Sequence, residues 1–355
     1  MPEVFFYSIN FYDYRKEAVP CGNKKKLEAG GFGTEEIMEI MIQVALLAVG
    51  FLLLVKGADR FVDGASGIAR RFGISQLVIG LTIVAMGTSA PEAAVSITAA
   101  MKGNADITIG NILGSNILNI LIILGLSSVV APLAVSAHTL FRDMPFMIGV
   151  TLLLLFQSSG GAVGFWEGTV LTLLFLAYMG YLLHTSVRKN RVLEPGGDLT
   201  AASVQGKKAS FWLSVLSTLG GLVMIVLGSQ IAVDAATDLA RLFGMSERFI
   251  GLTIVALGTS LPELFTSVAA SAKGNADIAI GNIVGSNIFN ILFVVGVSAL
   301  ITPVPFSTEF YADMWTAAAA GVLLLVCSVK GRKLGRSGGI AMLVGYVLYF
   351  IFICL

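Results

Sequence analysis

GLTIVAMGTSAPEAAVSITAAMKGNADITIGNILGSNILNILIILG, residues Gly80 to Gly125, returns at Gly251 to Gly296 as GLTIVALGTSLPELFTSVAASAKGNADIAIGNIVGSNIFNILFVVG. The offset is a constant 171 residues, and 31 of the 46 aligned positions are identical. Agreement on that scale marks an internal duplication, which any fold for the chain has to accommodate. Each copy carries one glutamate, Glu92 or Glu263, inside an apolar run and just after a Gly-Thr-Ser sequence and a proline. The expectation is that these two carboxylates share one cation site in the middle of a membrane.

Composition supports the membrane. The chain has 355 residues, 56% of them hydrophobic and 13% charged, with a mean hydropathy of +0.86. A soluble globule cannot cover itself with so little polar surface. A net charge of +1 gives no indication of a nucleic-acid partner. Cys21, Cys327 and Cys354 are too scattered for a disulfide framework or a thiolate metal site, and His138 and His184 lie far apart, against a zinc or haem centre.

Residues 1 to about 40 are aromatic and charged, without an apolar run long enough for a signal peptide. They read either as a tail, disordered or not native, or as sequence preceding a start at Met38 or Met41. From there, hydropathy defines ten segments, about 42–58, 74–101, 107–131, 144–157 and 165–184, then 211–230, 245–272, 278–302, 314–329 and 338–355. Arg188 to Ser210, with Pro195, Gly196, Gly197 and five basic residues, reads as a solvated linker. The expected units are therefore a first repeat at 41–187, a linker at 188–210 and a second repeat at 211–355.

Five crossings per half put the second copy upside down relative to the first. The expected fold is an all-α membrane protein of ten transmembrane helices, arranged as two inverted five-helix repeats. Loops assigned to one face hold fifteen basic residues, from Lys56 and Arg60 to Arg336, against three on the other, Lys102, Arg241 and Arg248. The richer face is expected to be cytoplasmic, which places the central linker inside and the C-terminus outside.

The chemistry concentrates around the prolines. Proline removes an amide hydrogen and clashes with the preceding turn, so helices passing Pro91 and Pro262 should kink or break. Lipid tolerates that only where the freed backbone finds a partner. Thr88, Ser89, Glu92 and the carbonyl of Ala85 then gather oxygens, as do Thr259, Ser260, Glu263 and the carbonyl of Ala256. All are hard donors of the kind that suits calcium or sodium. The bland reading makes the prolines packing kinks and lets the glutamates snorkel. A mid-membrane charge costs at least ~2.5–3.5 kcal/mol, and carrying two of them symmetrically favours function.

The next segment repeats polar residues at spacings of four, Asn111, Ser115 and Asn119, then Asn282, Ser286 and Asn290. Ser115, Asn119, Ser286 and Asn290 are expected to contact the cation, and Asn111 and Asn282 to glue helices together. Gly110 and Gly114, with Gly281 and Gly285, have the spacing of close-packing surfaces. Lys102, Asn104, Asp106, Lys273, Asn275 and Asp277 sit in short connections as capping or interface residues, with Asp106 or Asp277 as alternative flanks of an entry path. Asp63 and Asp234 are placed near segment ends and taken as structural.

The pairs GTSAPE with GNILGSNILN, and GTSLPE with GNIVGSNIFN, resemble the two alpha repeats of the cation/calcium exchanger superfamily, especially its sodium/calcium exchangers of bacterial and archaeal type. The resemblance runs from about Met41 to the end. It implies that calcium and sodium bind in turn to the oxygens of Thr88, Ser89, Glu92, Ser115 and Asn119, of Thr259, Ser260, Glu263, Ser286 and Asn290, and to the carbonyls of Ala85 and Ala256. Potassium-dependent members carry an aspartate where this chain has Asn290, which argues against potassium dependence. Proton/calcium members differ around the acid, where this chain has Gly-Thr-Ser before it and Ala93 or Leu264 after it.

The implied activity is secondary-active exchange of calcium for sodium by alternating access. No cofactor is expected; the partners are the two ions and the bilayer, with a monomer as the unit. Two like charges in a dry place repel unless a divalent ion or sodium ions neutralise them, which would make exchange obligatory. The rival readings are a calcium/proton antiporter, a passive cation channel and, with no nucleophile and base pair beside the glutamates, least of all an enzyme.

Overall fold

The computed structural model describes residues 34–103, 105–192, 211–245 and 256–354. The readings made for the N-terminal tail up to residue 33 and for most of the linker lie outside the described residues, as does the start of the segment at 245–272. What is described is an all-helical membrane protein with eight helices long and apolar enough to span a bilayer, or nine when one bent pair is included.

Helix α1, Thr34–Phe72, is longer than hydropathy indicates. It takes in part of the stretch read as a tail, contains Lys56 and continues past residue 58 through Arg60 and Asp63, residues expected at or beyond a segment end. Its partner explains the extension. Small residues at spacings of seven, Gly50, Gly57 and Gly64, pack antiparallel against Gly228, Gly221 and Ser214 of a helix at Phe211–Leu242. A Cβ added at Gly57 would lie 2.9 Å from the Gly221 carbonyl oxygen, so backbones touch where side chains would otherwise intervene. That helix is likewise longer than expected and carries Asp234 within it.

The bent pair is α2, Gln76–Thr88, and α3, Ala90–Met101, which meet at 51°. Helix α4, Ile107–Val130, is largely buried, and β1, Leu133–Ala134, follows it. Next come α5, Thr139–Gly160; β2, Ala162–Val163; and α6, Phe165–Val192, which carries helix beyond the expected start of the linker. In the second half, Phe211–Leu242 is α7, followed by α8, Ala256–Thr259, and α9, Leu261–Ala272. Helix α10, Ala276–Ile301, is buried like α4; then β3, Val304–Pro305, α11, Phe310–Arg332, β4, Lys333–Leu334, and α12, Arg336–Cys354 complete the chain. The apolar core runs through α2, α4 and α10, with Leu81, Ile109, Ile117, Ile283 and Leu292 fully buried. Large apolar side chains on α1, α6, α7 and α12 are exposed, as lipid-facing surfaces require.

Among the described residues two short antiparallel ladders tie the halves of this helical protein together. Leu133 pairs with Leu334, and Val163 with Val304, both antiparallel. Adding 171 to Leu133 gives Val304, and subtracting 171 from Leu334 gives Val163, so one ladder is the other with the halves exchanged. The sequence offset therefore governs contacts well outside the duplicated stretch.

Candidate functional site

Each glutamate sits at the start of a helix that begins at a break. The backbone leaves helical geometry at Ser89 (φ −82°, ψ 8°), Pro91 occupies the first turn of α3 and Glu92 follows it. The second copy does the same at Ser260 (φ −94°, ψ 5°), Pro262 and Glu263 of α9. Proline fits a first turn because its missing N–H would have no helical partner there, and a carboxylate beside that turn faces the positive end of the helix dipole. Both glutamates are 0% exposed.

Their nearest partners come from the other copy. The Ser89 hydroxyl donates to Glu263 Oε1 at 2.7 Å, and the Ser260 hydroxyl donates to Glu92 Oε1 at 3.3 Å. Ser260 Oγ also lies 3.5 Å from Ser115 Oγ. The second oxygen of each carboxylate, Oε2, is buried and has no hydrogen-bond partner among the described residues.

Helices α4 and α10 cross beside the carboxylates and change pitch there. Asn119–Leu124 and Asn290–Val295 are π-helical, at matching positions of the two copies, each opening on an asparagine. Single π turns inside α-helices are frequent at functional sites. Asn119 Nδ2 donates to Asn287 Oδ1 at 3.0 Å and Asn290 Nδ2 to Asn116 Oδ1 at 3.1 Å, while Asn119 Oδ1 and Asn290 Oδ1 are buried without a donor among the described residues. Close approach of α10 to the broken α2 depends on glycine: a Cβ at Gly285 would stand 2.8 Å from the Leu81 carbonyl oxygen.

Several expected oxygens are engaged differently. The Ala85 carbonyl is not loosened, because the break falls later, at Ser89; it accepts the Ser89 N–H at 3.0 Å and the Ser286 hydroxyl at 3.4 Å. Thr88 donates to Asn282 Oδ1 at 3.0 Å. Ala256 begins α8 and Thr259 ends it; the Ala256 side chain is outside the described residues. Asn111 Nδ2 donates to Ser96 Oγ at 2.9 Å and Asn282 Nδ2 to Ser267 Oγ at 2.9 Å, the interhelical ties expected of that pair. Asp63, expected to be structural, meets Lys273 Nζ at 2.8 Å. Among the described residues no three His, Cys, Asp or Glu side chains cluster to hold a metal.

Sequence reasoning passed over Asn116, Asn287, Ser96 and Ser267. Ser96 and Ser267 fall at identical positions of the duplicated stretch, as do Asn116 and Asn287 within GSN, and that identity was the available signal.

A family model described as sodium/calcium exchanger protein matches residues 42–184 and 213–355. The inner membrane protein YrbG of Escherichia coli is 37% identical over 314 residues, covering 87% of this chain and 96% of that protein. The sodium/calcium exchanger MaX1 of Methanosarcina acetivorans is 31% identical over 344 residues, covering 88% of this chain and 98% of its own length. A solved structure of the sodium-calcium exchanger NCX_Mj superposes with a TM-score of 0.76 at 29% identity, over 88% of this chain and 99% of that one.

Proposed function

The chain belongs to the sodium/calcium exchanger protein family and is a cation antiporter; from that premise we propose that its ions are calcium and sodium and that Glu92 and Glu263 form the site where they alternate. One observation carries this reading. Four buried side-chain oxygens, Glu92 Oε2, Glu263 Oε2, Asn119 Oδ1 and Asn290 Oδ1, fall into two pairs related by the 171-residue offset, all without a hydrogen-bond donor among the described residues. An unsatisfied buried acceptor costs about 1–3 kcal/mol, and more when charged. A hard cation satisfies all four at once, and two carboxylates match one divalent or two monovalent charges.

Ser89 and Ser260 touch the carboxylates, Ser115 touches Ser260 and Ser286 touches the Ala85 carbonyl; these serines complete the proposed ligand set with Thr88, Thr259 and the carbonyls of Ala85 and Ala256. Neutralising the two carboxylates removes the penalty on moving them through a dry interior, so the loaded site can change its access while the bare one is held back. That coupling makes transport an exchange.

The proposed architecture is ten crossings in two inverted repeats, 41–187 and 211–355, joined by the linker at 188–210. The exchange of halves between the two ladders supports it, and the bent pair α2–α3 gives the pattern expected of α8–α9. The distribution of basic residues supports a cytoplasmic linker and an outer C-terminus.

Calcium-isotope uptake into sodium-loaded proteoliposomes tests the function. Uptake should require internal sodium; uptake driven by a proton gradient without sodium, or continuing with no trans ion, would replace this reading with a proton antiporter or a pore.

A further inference from the structure

We infer that Asn116 and Asn287 are positioning residues for the ion site, each turning the amide of an asparagine in the other copy so that oxygen faces the cation. The inference rests on the exchanger reading, in which Asn119 and Asn290 supply two of the ion's oxygens.

Two backbone carbonyls set the orientation. Asn287 Nδ2 donates to the Asn116 carbonyl at 3.1 Å, and Asn116 Nδ2 donates to the Asn287 carbonyl at 3.3 Å. A carbonyl only accepts, so each amide has to present its nitrogen to it. Their Oδ1 atoms are thereby turned the other way, and each accepts from the amide nitrogen of Asn119 or Asn290, at 3.0 Å and 3.1 Å. With nitrogen committed to that contact, Asn119 and Asn290 leave Oδ1 as the free end, buried and without a donor among the described residues.

An amide's oxygen and nitrogen have nearly the same shape, and only the surrounding network tells them apart. Here the network permits one assignment. Flipping Asn287 would set its oxygen against the Asn116 carbonyl oxygen and its nitrogen against the Asn119 nitrogen. Flipping Asn119 alone would set its oxygen against Asn287 Oδ1 and leave an N–H donor at the end proposed to meet the cation. Asn116 and Asn287 are each 2% exposed, which leaves little access for solvent to the wrong orientation.

Asn119 and Asn290 open the π-helical turns, and the carbonyl three residues earlier accepts their backbone N–H as well as the amide of the other copy, using both of its lone pairs. The orientation thus passes from the backbone of one copy, through a side chain of the other, to the ligand amide: Asn116 acts on Asn290, and Asn287 acts on Asn119. A simple interhelical tie would have no such crossed dependence.

Equilibrium calcium-isotope binding to the purified full chain, with thermal unfolding measured alongside, tests it. Residues that orient metal ligands typically change affinity about 10–100-fold when removed, and that loss is expected for Asn116→Ala and for Asn287→Ala. The Asn116→Ala loss should vanish in an Asn290→Ala background and persist in Asn119→Ala; Asn287→Ala should show the mirror pattern. Where an alanine variant does not fold, Asn116→Ser or Asn287→Ser, which keep a polar group in the gap, carry the same comparison. Additive losses in every background, coupling within one copy, or a lowered unfolding temperature with unchanged affinity would overturn the positioning role alone. Absence of calcium binding by the unsubstituted protein would overturn the exchanger reading and this inference with it.

Discussion

Ser89 and Glu263 are 174 residues apart in the chain and 2.7 Å apart in space, the serine hydroxyl donating to Oε1 of the carboxylate. The mirrored contact from Ser260 to Glu92 is looser, at 3.3 Å. A hydrogen bond to a charged group contributes about 1.5–3 kcal/mol, and it weakens with distance. Ser89→Ala is therefore expected to raise the calcium concentration for half-maximal uptake by about 10-fold or more, and Ser260→Ala by less. Finding the larger effect in Ser260→Ala would contradict the assignment of the tighter contact.

The carboxylates themselves are tested by isosteric amides. Glu92→Gln or Glu263→Gln removes one of two charges and points N–H groups into a space bounded by acceptors. Breaking a buried charge match costs about 3–5 kcal/mol, so sodium-driven calcium uptake should fall by at least about 100-fold in either variant. Uptake near the unsubstituted level in both would remove them from the site.

Helix approach at the site depends on Gly285. A Cβ there would meet Leu81 Cα and Ala85 Cβ at 2.8 Å, and both belong to the broken helix. Overpacking of this kind costs about 1–3 kcal/mol, so Gly285→Ala should lower the thermal unfolding midpoint and weaken calcium binding together. Gly180, exposed in the middle of α6 with nothing described within 4 Å, is the control. Gly180→Ala should be neutral or stabilising, by up to about 0.5–1 kcal/mol.

Lys273 joins the loop after α9 to α1, 3.2 Å from Asp59 and 2.8 Å from Asp63. All three side chains are at least 27% exposed, and such pairs contribute only about 0.2–1 kcal/mol. Lys273→Met should shift the unfolding midpoint by a degree or so at most, with the difference fading at high salt. A collapse of stability would show that the contact closes this end of the helix pair more firmly than its exposure suggests.

The duplicated stretch made most of the site legible. Glu92 and Glu263 stand out because a charge inside an apolar run is expensive, and the prolines before them announce a break wherever the helix lies. Helix bounds read least well where packing overrode hydropathy. The long α1 and α7 persist through charged and small residues because glycines opposite one another let two backbones touch, a relationship no window along one helix can detect. The place of the break was legible only roughly for a similar reason: composition locates a break to within a turn, while the residue that departs from helical geometry, Ser89, is set by how the two helices leave it.

What the sequence determined by itself was a membrane-embedded, twice-copied helical chain with one glutamate per copy, because hydropathy, repetition and the chemistry of proline and glutamate are local properties. Only the tertiary structure decided which groups face those acids. Each carboxylate is held by a serine of the opposite copy, and the asparagine amides are oriented across the same divide. Contacts between residues some 170 positions apart depend on how the halves pack, and no local pattern encodes that.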